Sequence, residues 1–183
     1  MTFTNSAATA KETAPAYTAA LLELLGDRDP LEVLSDLVAE VARMVSGLDD
    51  ATLRRHEREG KWSMLEVVQH LVDTELIYGY RVRMILAHDM PAIEGYDQDA
   101  WARSLRYNDG DIRDALDELR VLRKRNLRLL RSLGNDELER YGMHAERGPE
   151  SVRRIAQLVA AHDLVHRRQL ARIRDAVTGP ARA

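Results

Sequence analysis

Apolar residues recur at helical spacing in four long segments of the chain. In the first segment, Leu34, Leu37, Val41 and Val45 follow one another at steps of three and four, which places them on one face of a helix. The other three segments show the same amphipathic pattern. The predicted long helices cover residues 30–47, 63–88, 111–134 and 151–177.

Residues with specific capping roles stand at the predicted helix ends. Asp29 precedes Pro30, a pairing of an N-cap residue with proline at the first helical position. Ser63 and Glu66 have the spacing of a capping box, in which each side chain satisfies a backbone N–H of the other. These signals fix the starts of the first two long helices.

The connections carry weaker patterns. Short helices are expected at residues 15–25, 49–55 and 135–140 and a single helical turn within the connection 94–101, whereas residues 141–149 have no helical pattern. No segment reads as a convincing strand, so the expected fold is all-α: a four-helix bundle with short extra helices in its connections. We expect residues 1–14 to form a flexible N-terminal arm, residues 15–179 a single domain and residues 180–183 a tail.

Three histidines occupy inward positions of this predicted bundle. His162 and His166 are four residues apart on the apolar stripe of the last helix, so both imidazoles face one point. His70 lies on the inward face of the second long helix, which a bundle can bring opposite the pair. Three imidazoles are a suitable protein ligand set for an open zinc-type site, although packed core histidines would give the same pattern.

The composition excludes several kinds of site and disfavours some partners. The 183 residues include no cysteine, so a disulfide, a thiolate metal site and a cysteine nucleophile are excluded. The formal net charge of -3 does not favour nucleic acid as a partner. The absence of a signal-like start or a long apolar run predicts a cytoplasmic protein without a membrane partner. The basic run of residues 120–131 is interpreted as a solvated helix face, with a basic binding surface as the alternative.

The ordered set of motifs resembles the DinB-like family of metalloenzymes, also called YfiT-like. The resemblance covers most of the chain from Leu31 onward. Its motifs are Lys61-Trp62-Ser63 leading into the helix of His70, the segment 95–101, His144 with Gly148, and His162-Asp163-Leu164-Val165-His166-Arg167-Arg168-Gln169.

The resemblance implies a bundle, often dimeric, in which His70, His162 and His166 bind a divalent metal, zinc or nickel. Relatives include thiol S-transferases, so it implies an S-transferase that joins a low-molecular-weight thiol to a small electrophile. A metal-dependent hydrolase of a small amide or ester is an alternative, although the chain has no His-Glu-x-x-His arrangement to supply a general base. A non-catalytic protein that binds metal or a small ligand is the third.

Other polar residues are candidates for supporting roles. Gln169, three positions after His166, could orient that ligand or a bound water, and His144 could enter the pocket as a substrate contact or proton carrier. The alternatives are a surface glutamine and an ordinary loop histidine. Tyr96, Asp97 and Trp101 could wall the pocket or only pack the loop. We expect Asp73 to pair with Arg81 or stay on the surface. We expect Asp163 to face solvent or to make a contact between helices.

Overall fold

A computed structural model describes residues 10–179, and these form a four-helix bundle with smaller elements in the connections. The all-α bundle expected from the sequence is confirmed. In cyclic order around the bundle, neighbouring long helices pack against each other. They are α2 (Pro30–Val45), α8 (Val152–Thr178), α4 (Met64–Ala87) and α6 (Ile112–Arg131).

The shorter helices lie at the chain start and in the connections. Their bounds are α1 (Ala10–Leu25), α3 (Asp50–Leu53), α5 (Gln98–Ser104), a 3₁₀ turn (Tyr107–Asp109) and α7 (Asn135–Glu139). The first helix packs on α8 and starts before the predicted position, so it includes part of the segment expected to be an arm. The rest of that arm and the tail 180–183 lie outside the described residues. No helix between residues 10 and 179 is both long and apolar enough to cross a membrane.

The predicted caps are present. The Asp29 side chain accepts a hydrogen bond from the Leu31 backbone N–H at 2.8 Å. At the start of α4, Ser63 Oγ accepts from the Glu66 N–H at 3.2 Å, and Glu66 Oε2 accepts from the Ser63 N–H at 2.7 Å. Both helices therefore begin where side chains replace the missing backbone partners.

A small sheet departs from the expectation that the chain has no strand. The strands are β1 (Ala92–Ile93), β2 (Tyr141–His144) and β3 (Gly148–Ser151). The central strand β2 pairs in parallel with β1, with Ile93 opposite His144, and antiparallel with β3. Strands of two to four residues are too short to show a period-2 pattern, which explains why the sequence did not reveal them.

Buried polar residues lie between two apolar clusters of the bundle. One cluster includes Leu34, Ile85 and Ile155, and the other includes Leu71 and Leu119. Polar side chains from α4, α6 and α8 are buried where the two clusters adjoin. These buried residues, which we call the polar layer, are His70, Glu75, Arg123, Asn126, Asp163 and His166.

An arginine of the polar layer connects its own helix to the three other long helices. Arg123 on α6 contacts Glu75 Oε1 of α4 at 2.8 Å and Asp163 Oδ2 of α8 at 2.6 Å, and it donates to the Leu34 carbonyl of α2 at 2.7 Å. Arg123 is only 3% exposed, so its assignment to the solvated face of the basic run was wrong. Asp163 makes the inter-helix contact that was one of its two expected roles.

Gly79 allows α4 and α6 to approach closely at this layer. A Cβ at Gly79 would lie 2.5 Å from Asn126 Oδ1, and Asn126 Nδ2 donates to the Glu75 carboxylate at 3.0 Å. We expect Gly79→Ala to displace Asn126 and to lower the free energy of unfolding by about 1–2 kcal/mol despite the better helix propensity of alanine. Urea denaturation measures this change.

Gly134 provides the matched control, since a Cβ there would meet only Glu137 Oε2, at 3.7 Å. Gly134→Ala replaces an N-cap glycine and should cost no more than about 0.5–1 kcal/mol. An equal or smaller loss in Gly79→Ala than in Gly134→Ala would show that the close approach is unimportant.

Candidate metal centre

Three histidine rings from two helices converge inside the bundle. His70 comes from α4, and His162 and His166 come from consecutive turns of α8, as their four-residue spacing requires. Nε2 of His162 lies 3.0 Å from Nε2 of His70 and 3.0 Å from Nε2 of His166. The potential donor atoms of all three rings lie within 4.8 Å of one another. The sequence-predicted trio is thus brought together around one point.

The surroundings keep these rings neutral. His70 is 1% exposed and His166 is 7% exposed. Burial holds the pKa of His70 and of His162 well below the usual value, and the repulsion between each ring and a protonated His166 acts in the same direction. Burial also lowers the pKa of His166 to about 4. Neutral imidazole is the form that ligates metals, so no proton has to be removed from the rings at neutral pH.

Gln169 sets the tautomer of His166. Its Oε1 lies 2.8 Å from His166 Nδ1, so the ring donates its Nδ1–H and leaves a lone pair on Nε2. That lone pair faces the point shared with the other two rings. The Nδ1 atoms of His70 and His162 meet no hydrogen-bond partner among the described residues.

The donor set fits a divalent cation. His162 Nε2 makes two contacts of 3.0 Å, one with His70 Nε2 and one with His166 Nε2. Because His166 Nε2 carries a lone pair, a proton on His162 Nε2 could form a linear hydrogen bond to only one of these two atoms. A cation would satisfy all three lone pairs. Ligand distances of about 2.0–2.1 Å in tetrahedral geometry separate donor atoms by about 3.3 Å, close to the observed spacing. The three residues therefore fit a bound ion such as Zn²⁺.

The Gln169 contact leads to a prediction for metal affinity. We expect Gln169→Leu to weaken Zn²⁺ binding by about 10–100-fold, because the His166 ring would lose the acceptor that fixes its tautomer and orientation. Gln169→Glu keeps an acceptor at this place and should retain most of the affinity. Competition with a chromophoric chelator measures both variants, and equal affinity of wild type and Gln169→Leu would remove Gln169 from the site.

A cavity of about 310 Å³ leads to His162. Its walls come from α1, α4, the segment 95–98, the turn between β2 and β3, and α8. Tyr96 and Asp97 line it, which was one of their two expected roles. Trp101 does not line it and packs against Tyr96 in a tilted arrangement with ring centroids 4.6 Å apart. The ligand trio thus has an open approach from one side.

His144 also lines this cavity. It ends β2 and is 3% exposed. Its Nδ1 accepts from the Glu146 backbone N–H at 3.1 Å, which leaves the ring proton on Nε2. Burial lowers its pKa to about 4, with Arg147 the next cause. His144 is therefore a neutral hydrogen-bond donor at neutral pH rather than a proton acceptor.

Asp73 has a different contact from those expected, and Trp62 contacts one of the three histidines. Asp73 accepts a short hydrogen bond from Tyr107 Oη instead of pairing with Arg81, which donates to the Glu94 carbonyl at 2.5 Å. Trp62 packs against the His70 ring in a tilted arrangement, with a centroid distance of 5.0 Å and 55° between the ring planes. Trp62 therefore supports a candidate ligand directly.

Sequence reasoning missed several cavity residues. These are Tyr17, Thr74, Arg81, Glu146 and Arg147. They come from three separate segments, α1, α4 and the turn between β2 and β3, so no local motif joins them. Arg81 carried a partial signal, because it follows His70 and Thr74 on the same face of α4.

Known proteins resemble the chain in both sequence and structure. This chain is 29% identical over 133 residues to "Putative metal-dependent hydrolase OB0782" of Oceanobacillus iheyensis, and the match covers 73% of this chain and 77% of the relative. It is 29% identical over 116 residues to "Putative metal-dependent hydrolase YfiT" of Bacillus subtilis, covering 63% of this chain and just under two thirds, 65%, of YfiT.

The solved structure of Bacillus subtilis YfiT superposes with a TM-score of 0.74 at 26% identity, covering 79% of this chain and 83% of YfiT. That protein is described as a probable metal-dependent hydrolase with an unusual four-helix bundle topology. The sequence profile of the DinB superfamily matches residues 34–170, which include all three converging histidines. The chain belongs to the DinB superfamily.

Proposed function

We propose that this protein is a divalent-metal-dependent enzyme that acts on a small molecule in the cavity beside His162. The observation that carries the proposal is the convergence of three neutral Nε2 atoms at this cavity. His70, His162 and His166 would hold the ion. Imidazole ligands suit zinc and nickel, which are the two metals we propose.

A bound divalent cation supplies Lewis acidity, which lowers the pKa of a thiol or a water molecule placed beside it. The protein's own residues contribute binding and orientation. His70 and His166 are buried, while His162 lines the cavity, so a ligand in the cavity approaches the trio from the His162 side.

Our leading candidate for the reaction is thiol S-transfer, supported by the family resemblance. The thiol sulfur would form a bond to the electrophilic carbon of the second substrate, whose leaving group would depart with the bonding electron pair, and the thiol proton would pass to solvent. The chain has no cysteine, so the thiol would enter as a co-substrate of low molecular weight.

A metal-dependent hydrolase is the second candidate, favoured by the names of the relatives. Hydrolysis needs a general base beside the attacking water. Among residues 10–179 no carboxylate joins the three-histidine cluster, and His144 holds its proton on the nitrogen that lacks a protein partner. Glu146 and Asp97 line the cavity and are the carboxylates that this candidate would use.

A paired assay separates the two reactions. Zinc-loaded or nickel-loaded protein is incubated with 1-chloro-2,4-dinitrobenzene and with 4-nitrophenyl acetate, each with and without cysteine, glutathione, bacillithiol or mycothiol. We expect turnover above the uncatalysed rate only with a thiol, and its loss in His162→Ala. Thiol-independent ester hydrolysis that His162→Ala also abolishes would favour the hydrolase. A third outcome, metal binding without either turnover, would support a non-catalytic metal-binding protein.

A homodimer and a cytoplasmic location stay proposals. Leu76 and Tyr80 on α4 are 52% and 60% exposed, and such side chains would suit a helix-to-helix contact between two copies. Light scattering of the purified protein measures the assembly.

A further inference from the structure

Arg81 lines the cavity without a carboxylate partner. One of its nitrogens, Nη2, donates to the Glu94 carbonyl at 2.5 Å, but no Asp or Glu oxygen among residues 10–179 lies within ion-pairing distance. Arg147 differs, because Glu150 holds it through two contacts of 2.5 and 2.9 Å. Partial burial, together with the charge of Arg147, lowers the pKa of Arg81. Its guanidinium stays charged, and among residues 10–179 the carboxylates that act on it, those of Glu150 and Glu146, do so without forming an ion pair.

His144 contributes a second donor to the same cavity. The ring is 3% exposed, and its Nε2 has no hydrogen-bond partner among the described residues. Its Nδ1 already accepts from the Glu146 N–H, so Nε2 carries the proton. A buried donor without a partner costs free energy, which a ligand that accepts the hydrogen bond would recover.

Two of the three charges that act on the His144 ring are positive, and only one of these two cations is paired with a carboxylate. Besides burial, the charges that act on the His144 ring are those of Arg147, Glu150 and Arg81, two cations against one carboxylate. Two further carboxylates line the cavity. Glu146 packs against Gly95, where an added Cβ would lie 2.5 Å from Glu146 Oε1. Asp97 Oδ1 accepts from the backbone N–H groups of Asp99 and Ala100 at the start of α5.

Part of the cavity wall is apolar. Leu21 of α1 and Leu158 and Val159 of α8 line the same cavity as His162. An apolar ligand group against these side chains would be removed from water, at about 25 cal/mol per Å² of buried surface. The cavity therefore offers apolar side chains, the Arg81 guanidinium without an ion pair, the His144 Nε2–H without a hydrogen-bond partner, and an approach to the histidine trio.

We propose that the cavity binds a small organic anion, with its acidic group held by the Arg81 guanidinium and His144 Nε2–H and its apolar body against Leu21, Leu158 and Val159. As a statement about the substrate, this inference rests on the proposed function. The binding itself requires no metal. Arg81 and His144 would then determine specificity, because they would select a carboxylate over a neutral group of the same shape.

The test uses phenylacetate, its neutral isostere phenylacetamide, and acetate as probes. Each is titrated into EDTA-treated, ¹⁵N-labelled full-length protein, and binding is followed by the amide shifts of Gly95 and Gln98 at the cavity wall. We expect phenylacetate to bind at least about tenfold more tightly than either phenylacetamide or acetate, since only phenylacetate offers both the charge and the apolar body.

Variants locate the charge recognition. Arg81→Gln and His144→Phe should each weaken phenylacetate binding about tenfold or more and change phenylacetamide binding by less than about twofold. Arg81→Lys keeps the charge and should keep the preference for the carboxylate. Arg113→Gln, an exposed arginine on α6 away from the cavity, should behave as wild type.

Equal affinity of wild type for phenylacetate and phenylacetamide, or no binding of either, would overturn the proposal. So would acetate binding as tightly as phenylacetate, or an equal loss of phenylacetate and phenylacetamide in Arg81→Gln. Zinc affinity is measured separately on the same samples. Loss of the anion preference with zinc binding intact would contradict only this subsite, whereas an intact preference without zinc binding would contradict only the proposed metal centre.

Discussion

Zinc binding is expected to fall at least about a hundredfold when His162 is replaced by alanine. Nε2 of His162 lies 3.0 Å from each of the other two Nε2 atoms, so the variant would keep two ligands of the three. Loss of a residue that only orients a ligand costs about 10–100-fold in metal affinity, and loss of a ligand should cost more. Competition with a chromophoric chelator, on protein purified without a histidine tag, measures the change.

His88→Ala is the control for this prediction. His88 is exposed at the end of α4 and contributes only its backbone to the helix cap, so its removal should leave zinc affinity within about twofold of wild type. Far-UV circular dichroism checks that both variants fold. A folded His162→Ala variant that binds zinc as tightly as wild type would remove His162 from the ligand set.

Arg123→Met is expected to lower the free energy of unfolding by about 3–5 kcal/mol. The substitution would leave Glu75 and Asp163 buried without their shared cation, and both carboxylates are 0% exposed. Burial already raises the pKa of Asp163 to about 6, against the opposing effect of Arg123. Urea denaturation at neutral pH measures the loss, provided that the transition is two-state.

Two comparisons decide whether the buried charges cause that loss. Arg120→Met removes an arginine of the same helix whose side chain is 61% exposed, and it should cost no more than about 1 kcal/mol. Adding Glu75→Gln and Asp163→Asn to Arg123→Met removes the unpaired charges and should recover part of the stability. A loss in Arg123→Met no larger than in Arg120→Met would contradict this explanation.

The bundle could be predicted because its helices carry strong local signals. Asp29 and Ser63 cap the first two long helices as their spacing indicated, and the apolar stripe of α8 placed His162 and His166 inward. Such signals depend on residues three and four apart, which the sequence displays directly. The convergence with His70 followed once the helices were packed side by side.

The burial of Arg123 was not predicted, because the basic residues around it in the sequence were given more weight than its own position on the helix. Arg123 follows Leu119 by four residues and precedes Leu130 by seven, which places it on the buried face of α6. The many neighbouring basic residues suggested a solvated face instead. Glu75 and Asp163 likewise occupy inward positions of their helices. A charged residue on an apolar stripe becomes interpretable only when opposite charges occupy the stripes of the neighbouring helices.

The cavity could not be predicted for a different reason. Arg81 and His144 line one cavity because Arg81 donates to the Glu94 carbonyl just after β1, and β1 pairs with β2, which ends at His144. This pairing joins segments about fifty residues apart through short strands. Local patterns carry no information about such pairing. The sequence therefore predicted the histidine trio, and His144 as a candidate, but not the charged partner that shares its cavity.

The polar layer connects stability to the proposed chemistry. Asp163 lies next to His162 on α8, and its pairing with Arg123 ties α8 to α6, while Glu75 ties α4 to the same arginine. These contacts fix the relative positions of the two helices that carry the histidines. The same buried charges that cost free energy to desolvate therefore help to hold the trio in register.

Anomalous diffraction from crystals of the zinc-loaded protein tests the central claim most directly. Data above and below the zinc absorption edge should give one strong peak at about 2.0–2.1 Å from the Nε2 atoms of His70, His162 and His166. A zinc-saturated crystal with no peak among these three rings, or with the ion held by other residues, would contradict the account.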